Sequence, residues 1–96
     1  MEINEIKNKI KSVEPLLKEK FRVKEIGIFG SYVRGEQRKS SDVDILVEFY
    51  EAPSLFEFIR MERYLKSILG IKVDLVMKNS LKPYIGKHIL DEVIYI

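Results

Sequence analysis

The stretch VKEIGIFGSYVRGEQRKSSDVDILVEF, residues 23–49, decides the fold. It holds two short runs rich in β-branched and aromatic residues, Val23 to Phe29 and Val43 to Phe49, and each predicts a strand. The residues between them, 30 to 41, are dominated by Gly, Ser and charge, and predict a loop with one helical turn at Tyr32 to Gly35. Gly30 and Ser31 follow the first strand directly, and Asp42 and Asp44 open the second.

The chain on either side alternates helix and strand. Upstream, Ile3, Ile6, Ile10, Val13 and Leu17 recur at helical spacing, so residues 3 to 20 predict an amphipathic helix. Pro15 should kink it or start a fresh turn, because its ring clashes with the carbonyl four residues back. Downstream, Ser54-Leu55-Phe56-Glu57 has the form of a capping box, with Ser54 as N-cap and Glu57 reaching back to it. The stripe Leu55, Phe58, Ile59, Leu65, Ile68 and Leu69 continues that helix to Gly70, a C-terminal stop. Phe56, Phe58 and Tyr64 read as core residues rather than as a platform for a base. Ile71 to Met77 predicts a third strand, Pro83 opens a helix running to Asp91, and Val93 to Ile96 predicts an edge strand. The order is that of a small α/β (α+β) domain with a mixed sheet packed with helices.

Composition narrows the function classes. The 96 residues suit a single domain spanning 1–96, too small to include a second substrate-binding domain. With 46% hydrophobic and 33% charged residues, the chain is that of a folded globular protein rather than a disordered one. A net charge of +2 is too weak for a protein that coats nucleic acid, and it argues against RNA as the direct substrate. The absence of cysteine excludes disulfides and thiolate metal sites. Charges interrupt the amino terminus at once, unlike a signal peptide, and no run approaches the ~18 apolar residues that span a bilayer, so a cytoplasmic location is expected.

The acids carry the chemistry. Residues two apart in a strand face the same way, so Asp42 and Asp44 sit side by side, and their repulsion calls for a cation between them. Hard oxygen ligands of this kind suit Mg²⁺, which takes one or two carboxylates plus substrate phosphates. Asp74 interrupts the apolar run Lys72-Val73-Asp74-Leu75-Val76, where a buried unpaired carboxylate would be costly. With the third strand beside the second, Asp74 completes a three-carboxylate cluster able to hold two metal ions ~4 Å apart for displacement at phosphorus. Gly30 permits close backbone approach, Ser31 adds a hydroxyl, and the backbone N–H groups of the following turn favour an anion. A nucleoside triphosphate would dock there. Arg34, Arg38 and Lys39 add positive charge. Arg34 either touches phosphate or pairs with Glu36 or another surface acid, while Arg38 and Lys39 read as solvated loop charges.

Taken alone, Asp-x-Asp at a strand start is usually a solvated turn, and Gly30 with Ser31 could simply end a strand and cap a turn. The combination is more specific. Ile28-Phe29-Gly30-Ser31-Tyr32-Val33-Arg34-Gly35, followed by Ser41-Asp42-Val43-Asp44-Ile45-Leu46-Val47 and the Asp74 strand, resembles the minimal nucleotidyltransferase (MNT) family of the DNA polymerase beta superfamily. The resemblance runs on through Leu81-Lys82-Pro83-Tyr84 to Glu92-Val93-Ile94-Tyr95-Ile96 and covers nearly the whole chain. It implies a polymerase-beta-like nucleotidyltransferase fold, ATP as substrate and two Mg²⁺ per site. It also implies the antitoxin role of the MntA type, in which AMP passes from ATP to a tyrosine of a helical HEPN ribonuclease toxin. Carried over, Asp42, Asp44 and Asp74 would be metal ligands, with Asp74 also a base toward the incoming hydroxyl, and Gly30 and Ser31 would hold the phosphates.

Two classes of function stay open at this point. One is the enzyme, with its acceptor held by a partner chain or another subunit, in a homo-oligomer or a hetero-oligomer with the toxin; transfer to a small molecule is a variant of it. The other is a binding module that neutralises a toxin by occlusion, for which the small size of the chain speaks. The residues do not say what Lys82, Lys87 and His88 do. Tyr84, Tyr95 and Ile96 read as packing residues or an interface edge.

Overall fold

The computed structural model describes residues 1–96. Its elements run α1 (Ile3–Ser12), α2 (Glu14–Lys20), β1 (Val23–Phe29), α3 (Ser31–Arg34), β2 (Val43–Phe49), α4 (Leu55–Leu69), β3 (Val73–Met77), α5 (Pro83–Glu92) and β4 (Ile94–Tyr95), with a single 3-10 turn at Lys78–Ser80. The expected helix over 3 to 20 is two helices. Val13 separates them, and Pro15 stands in the first turn of α2, where a missing N–H removes no hydrogen bond.

The four strands lie in the order β3-β2-β1-β4. β1 pairs antiparallel with β2 and with β4, whereas β2 and β3 are parallel, so the sheet is mixed as expected. The third strand begins at Val73 rather than Ile71, although Val43 N–H already donates to Lys72 O at 2.9 Å. The last helix extends one residue further than expected, to Glu92.

The pleat divides the side chains of the sheet into two sets. Ile26, Ile28, Val43, Ile45, Val47 and Leu75 face one way and join Ile6, Ile10 and Leu17 from α1 and α2 and Met61, Leu65 and Leu69 from α4 in the main core. Fully burying an aliphatic side chain of this size stabilises the fold by about 1.5–3 kcal/mol before entropy is counted. Residues of the opposite parity, among them Phe29, Asp44, Leu46, Asp74 and Val76, share the other face through their pairings.

Two expectations for α4 need correction. Its buried line is Met61, Leu65 and Leu69, so the first turn overhangs the sheet: Leu55 is 70% exposed and Phe56 79%, and neither is core. Phe58 and Tyr64 do pack against the core. The capping box is only half formed. Glu57 N–H donates to Ser54 Oγ at 3.2 Å, but the Glu57 carboxylate meets the Ser54 hydroxyl at 3.4 Å instead of reaching its backbone N–H. Gly70 ends the helix in the left-handed conformation, as a C-terminal stop should.

Candidate active site

The site lies on the sheet face opposite the main core, at the end where β1 finishes and β2 and β3 begin. Parallel pairing sets Asp44 directly opposite Asp74, and antiparallel pairing sets Phe29 opposite Asp44. Cross-strand partners share a face, so Asp74 and Asp44 project together, as the sequence reading required. β3 is the outer strand of the sheet, and for that reason Asp74 is exposed rather than buried as its apolar neighbours suggested. Asp42 is exposed and immediately precedes β2.

Asp44 records the crowding. Its carboxyl is pushed up from the ordinary 3.8 to about 6, first by burial, then by the negative charges of Asp74 and Asp42 and a hydrogen bond with Asp74, against a smaller opposing pull from Arg34. All three acids therefore act on one locality. As the side chains stand, no three His, Cys, Asp or Glu residues form a group that could hold a metal ion. Asp44 and Asp74 are cross-strand partners, and Asp42 is near enough to help raise Asp44. Carboxylates facing one another across two strands are the donor chemistry Mg²⁺ takes, and the raised Asp44 reflects burial first and then the negative charge of Asp74 and Asp42, which a cation would relieve.

Gly30 fixes the other wall. It leaves β1 at φ 81° and ψ −152°, a conformation open to glycine. A Cβ there would lie 2.0 Å from Asp44 Oδ2, so only glycine lets this backbone pass the carboxylate. Gly30, not Ser31, is the N-cap of α3, because Val33 and Arg34 N–H both donate to Gly30 O, at 3.0 and 3.2 Å. Ser31 is the first helical residue and is half-buried.

Arg34 is already engaged. Its Nε donates to Glu36 at 2.5 Å, and its Nη1 donates to both carboxylate oxygens of Glu92 at 3.0 Å. These contacts with Glu36 and then Glu92 hold its guanidinium above its ordinary pKa. Of the two readings offered by the sequence, the structure contains the ion pair. Sequence reasoning missed Glu92, which also accepts Gly30 N–H at 2.7 Å. A signal was present, since an acid in the last turn of a helix faces the negative end of the helix dipole and needs another reason to be there.

Positive charge flanks the acids on the α4 side. A cavity of about 280 Å³ beside Asp42 is lined by Glu62, Arg63, Lys66, Lys72 and Val73, and a neighbouring one of about 320 Å³ adds Lys39 and Ser41. Lys82 and Lys87 belong to a different cleft, on α5. His88 packs edge-on against Tyr84 on that helix, with ring centroids 5.5 Å apart. Tyr84 itself is 81% exposed and takes no part in the core. No helix is long and apolar enough to cross a membrane.

Comparison with known proteins identifies the family and the fold. A family model described as the nucleotidyltransferase domain matches residues 10–96. The protein adenylyltransferase MntA of Thermococcus cleftensis is 54% identical over 94 residues, covering 98% of this chain and 95% of that protein. A solved structure described as a minimal nucleotidyltransferase superposes with a TM-score of 0.83 at 32% identity, over 98% of this chain and 95% of that one. A toxin–antitoxin crystal structure with AMP-PNP superposes with a TM-score of 0.76 at 28% identity, over 92% of this chain and 69% of that one.

Proposed function

The chain belongs to the nucleotidyltransferase domain family, and on that premise we propose that it is a protein adenylyltransferase that moves AMP from ATP to a tyrosine hydroxyl of a HEPN-type ribonuclease toxin, silencing it as an antitoxin. The observation that carries the reading is the pairing of Asp44 with Asp74 across β2 and β3, with Asp42 acting on the same point. The 54% identity to a protein adenylyltransferase along nearly its whole length supports the same chemistry, and the likeness to a toxin–antitoxin structure with AMP-PNP supports the donor and the kind of partner. The whole chain acts as one domain in this reading, and ATP as donor places the reaction in the cytoplasm.

The roles follow from position. Asp42, Asp44 and Asp74 would hold Mg²⁺, which when bound supplies positive charge against the triphosphate and its leaving pyrophosphate. Gly30 lies against Asp44 and Ser31 follows it as the first residue of α3, where the phosphates would be gripped. Asp74 is exposed on the open edge of the sheet, so an incoming tyrosine can reach it there and give up its proton. The phenolic oxygen then bonds to the α-phosphorus as the bond to the bridging oxygen breaks, releasing pyrophosphate. Cations at Arg63, Lys66 and Lys72 surround the Asp42 side of the site and suit a polyanionic donor.

Co-expression with a HEPN-type toxin followed by intact-mass spectrometry tests the reading. Wild-type chain should add the mass of one or more AMP units to the toxin. A toxin left unmodified in the presence of ATP and Mg²⁺ would refute adenylylation.

Occlusion without chemistry is the second reading. One observation favours it: the carboxylates do not gather into a three-donor metal group as they stand. The double variant Asp42→Ala with Asp44→Ala separates the two. Full protection of cells by that variant supports occlusion, and lost protection supports transfer.

A further inference from the structure

Glu92 ends α5, and its neighbour Asp91 makes that last turn acidic with no basic residue in it. Negative side chains at the carboxyl end of a helix oppose the helix dipole, so the placement weakens α5 rather than supporting it. The compensation lies far away in the chain. One carboxylate oxygen accepts Gly30 N–H at 2.7 Å, and both accept Arg34 Nη1 at 3.0 Å. A charge-assisted bond to a backbone N–H is among the stronger kinds available to a carboxylate. A residue that breaks a local rule and is satisfied only at a site is a candidate for service to that site.

The contact carries the β1–β4 pairing, in which Ile28 stands opposite Ile94, past the end of the ladder and onto the turn that follows β1. Gly30 stands in a φ-positive conformation against the Asp44 carboxylate, and α3 is a single turn with no side-chain cap. Tyr32 anchors the turn in the main core and Val33 packs against it, but a single turn has little hydrogen bonding of its own to fix its two ends. Glu92 grips it at both ends, at Gly30 ahead of its first residue and at Arg34, its last.

We propose that Glu92 is a positioning residue of the nucleotidyltransferase site: by holding Gly30 and Arg34 it sets the Gly30-Ser31 turn at the distance from Asp44 that triphosphate binding requires. This rests on the function proposed above and adds to it a residue from the carboxyl-terminal helix, outside the Gly-Ser and Asp-x-Asp segments. Glu92 touches neither substrate nor metal in this role. Its effect falls on the affinity for the donor nucleotide and leaves the acids in place.

The test uses the full-length chain with Mg·ATP, comparing wild type, Glu92→Gln and Glu92→Ala by titration calorimetry well below each variant's melting temperature. Glutamine keeps an oxygen for Gly30 N–H but loses the ion pair with Arg34. The expected result is graded: Kd for ATP rises several-fold in Glu92→Gln and at least ten-fold in Glu92→Ala. In the toxin-modification assay, KM for ATP should rise more than kcat falls. If Glu92→Ala does not fold, Glu92→Gln carries the measurement alone. A merely structural role would lower both melting temperatures while leaving ATP affinity at the wild-type value, and that result overturns the proposal. Failure of the wild type to bind Mg·ATP would overturn the nucleotidyltransferase reading and this role with it, so the two failures are distinguishable.

Discussion

The Asp44 carboxylate occupies the space where residue 30 would carry a side chain, since a Cβ built on Gly30 lies 2.0 Å from Asp44 Oδ2 and 2.9 Å from its Cγ. The end of β1 and the start of β2 are thus fitted to one another through a glycine and an acid, which are paired neither in sequence nor in the register, where Asp44 stands opposite Phe29.

Gly30→Ala should therefore harm both fold and activity. The left-handed φ of 81° strains any L side chain by about 1–3 kcal/mol. The clash then drives Asp44 away from Asp74, and a displacement of an ångström at such a site lowers turnover on the order of 100-fold. Urea denaturation and the rate of toxin adenylylation measure the two effects. Wild-type values for both would mean that the close approach is not required.

Much of this arrangement is legible in the residues because it follows from local pattern. β1 and β2 have the bounds that their β-branched runs predict, and the shared face of Asp44 and Asp74 follows once the two strands are neighbours. The rest depends on contacts that no local pattern encodes. Asp74 is exposed because β3 has a strand on one side only, a property of the sheet rather than of its own apolar neighbours. Phe56 is exposed because α4 overhangs the core at its first turn, and helical spacing does not reveal where a helix meets its sheet. Glu92 finds Gly30 across 62 residues, and only its poor fit to the end of α5 hints at this. Gly27, an ordinary strand residue by pattern, admits β4 because it lacks a side chain.

In the metal-free protein the contribution of Asp44 to stability should fall as pH rises from about 4 to 6. Asp44 titrates at about 6 in the fold against an ordinary 3.8, so the folded chain binds the proton more tightly than the unfolded one. That contribution is fully present below the unfolded value and is lost as pH rises through the folded one. Asp44→Asn removes the dependence. Because the group is only half-buried, solvent screening reduces the gain to roughly 1 kcal/mol at pH 7. Chemical denaturation in the presence of a chelator, at pH 4 and pH 7, measures it. A variant less stable than wild type at pH 7 would contradict the crowding of acids.

Ser54→Ala should cost about 1 kcal/mol, the usual loss when an N-cap hydroxyl is removed. Its Oγ accepts Glu57 N–H at 3.2 Å. Glu57→Ala should cost only a few tenths of that, since the carboxylate does not reach the Ser54 backbone and its 3.4 Å contact with the hydroxyl is solvent-exposed. A reciprocal capping box would make the two losses similar. Thermal melts of the two single variants decide between a half-formed and a complete box.

Gly27→Ala tests how the carboxyl-terminal strand is seated. A Cβ at residue 27 meets Val93 Cγ2 at 2.7 Å and the Ile94 carbonyl oxygen at 3.0 Å, and the oxygen belongs to backbone that cannot swing aside. Overpacking of this kind costs typically about 1–3 kcal/mol. The strain should be released locally, by lifting β4 from β1, because β4 is two residues long and sits at the sheet edge. Hydrogen exchange should then quicken first at Ile96 N–H, which donates to Ile26 O at 2.9 Å, while amides of the β1–β2 ladder stay protected. Gly70→Ala is the control. Its φ of 72° carries a backbone penalty but a Cβ there meets nothing within 4 Å, so the loss of stability should come without any local opening of β4. Equal exchange at Ile96 in both variants would show that the gap above Gly27 is not what seats the strand.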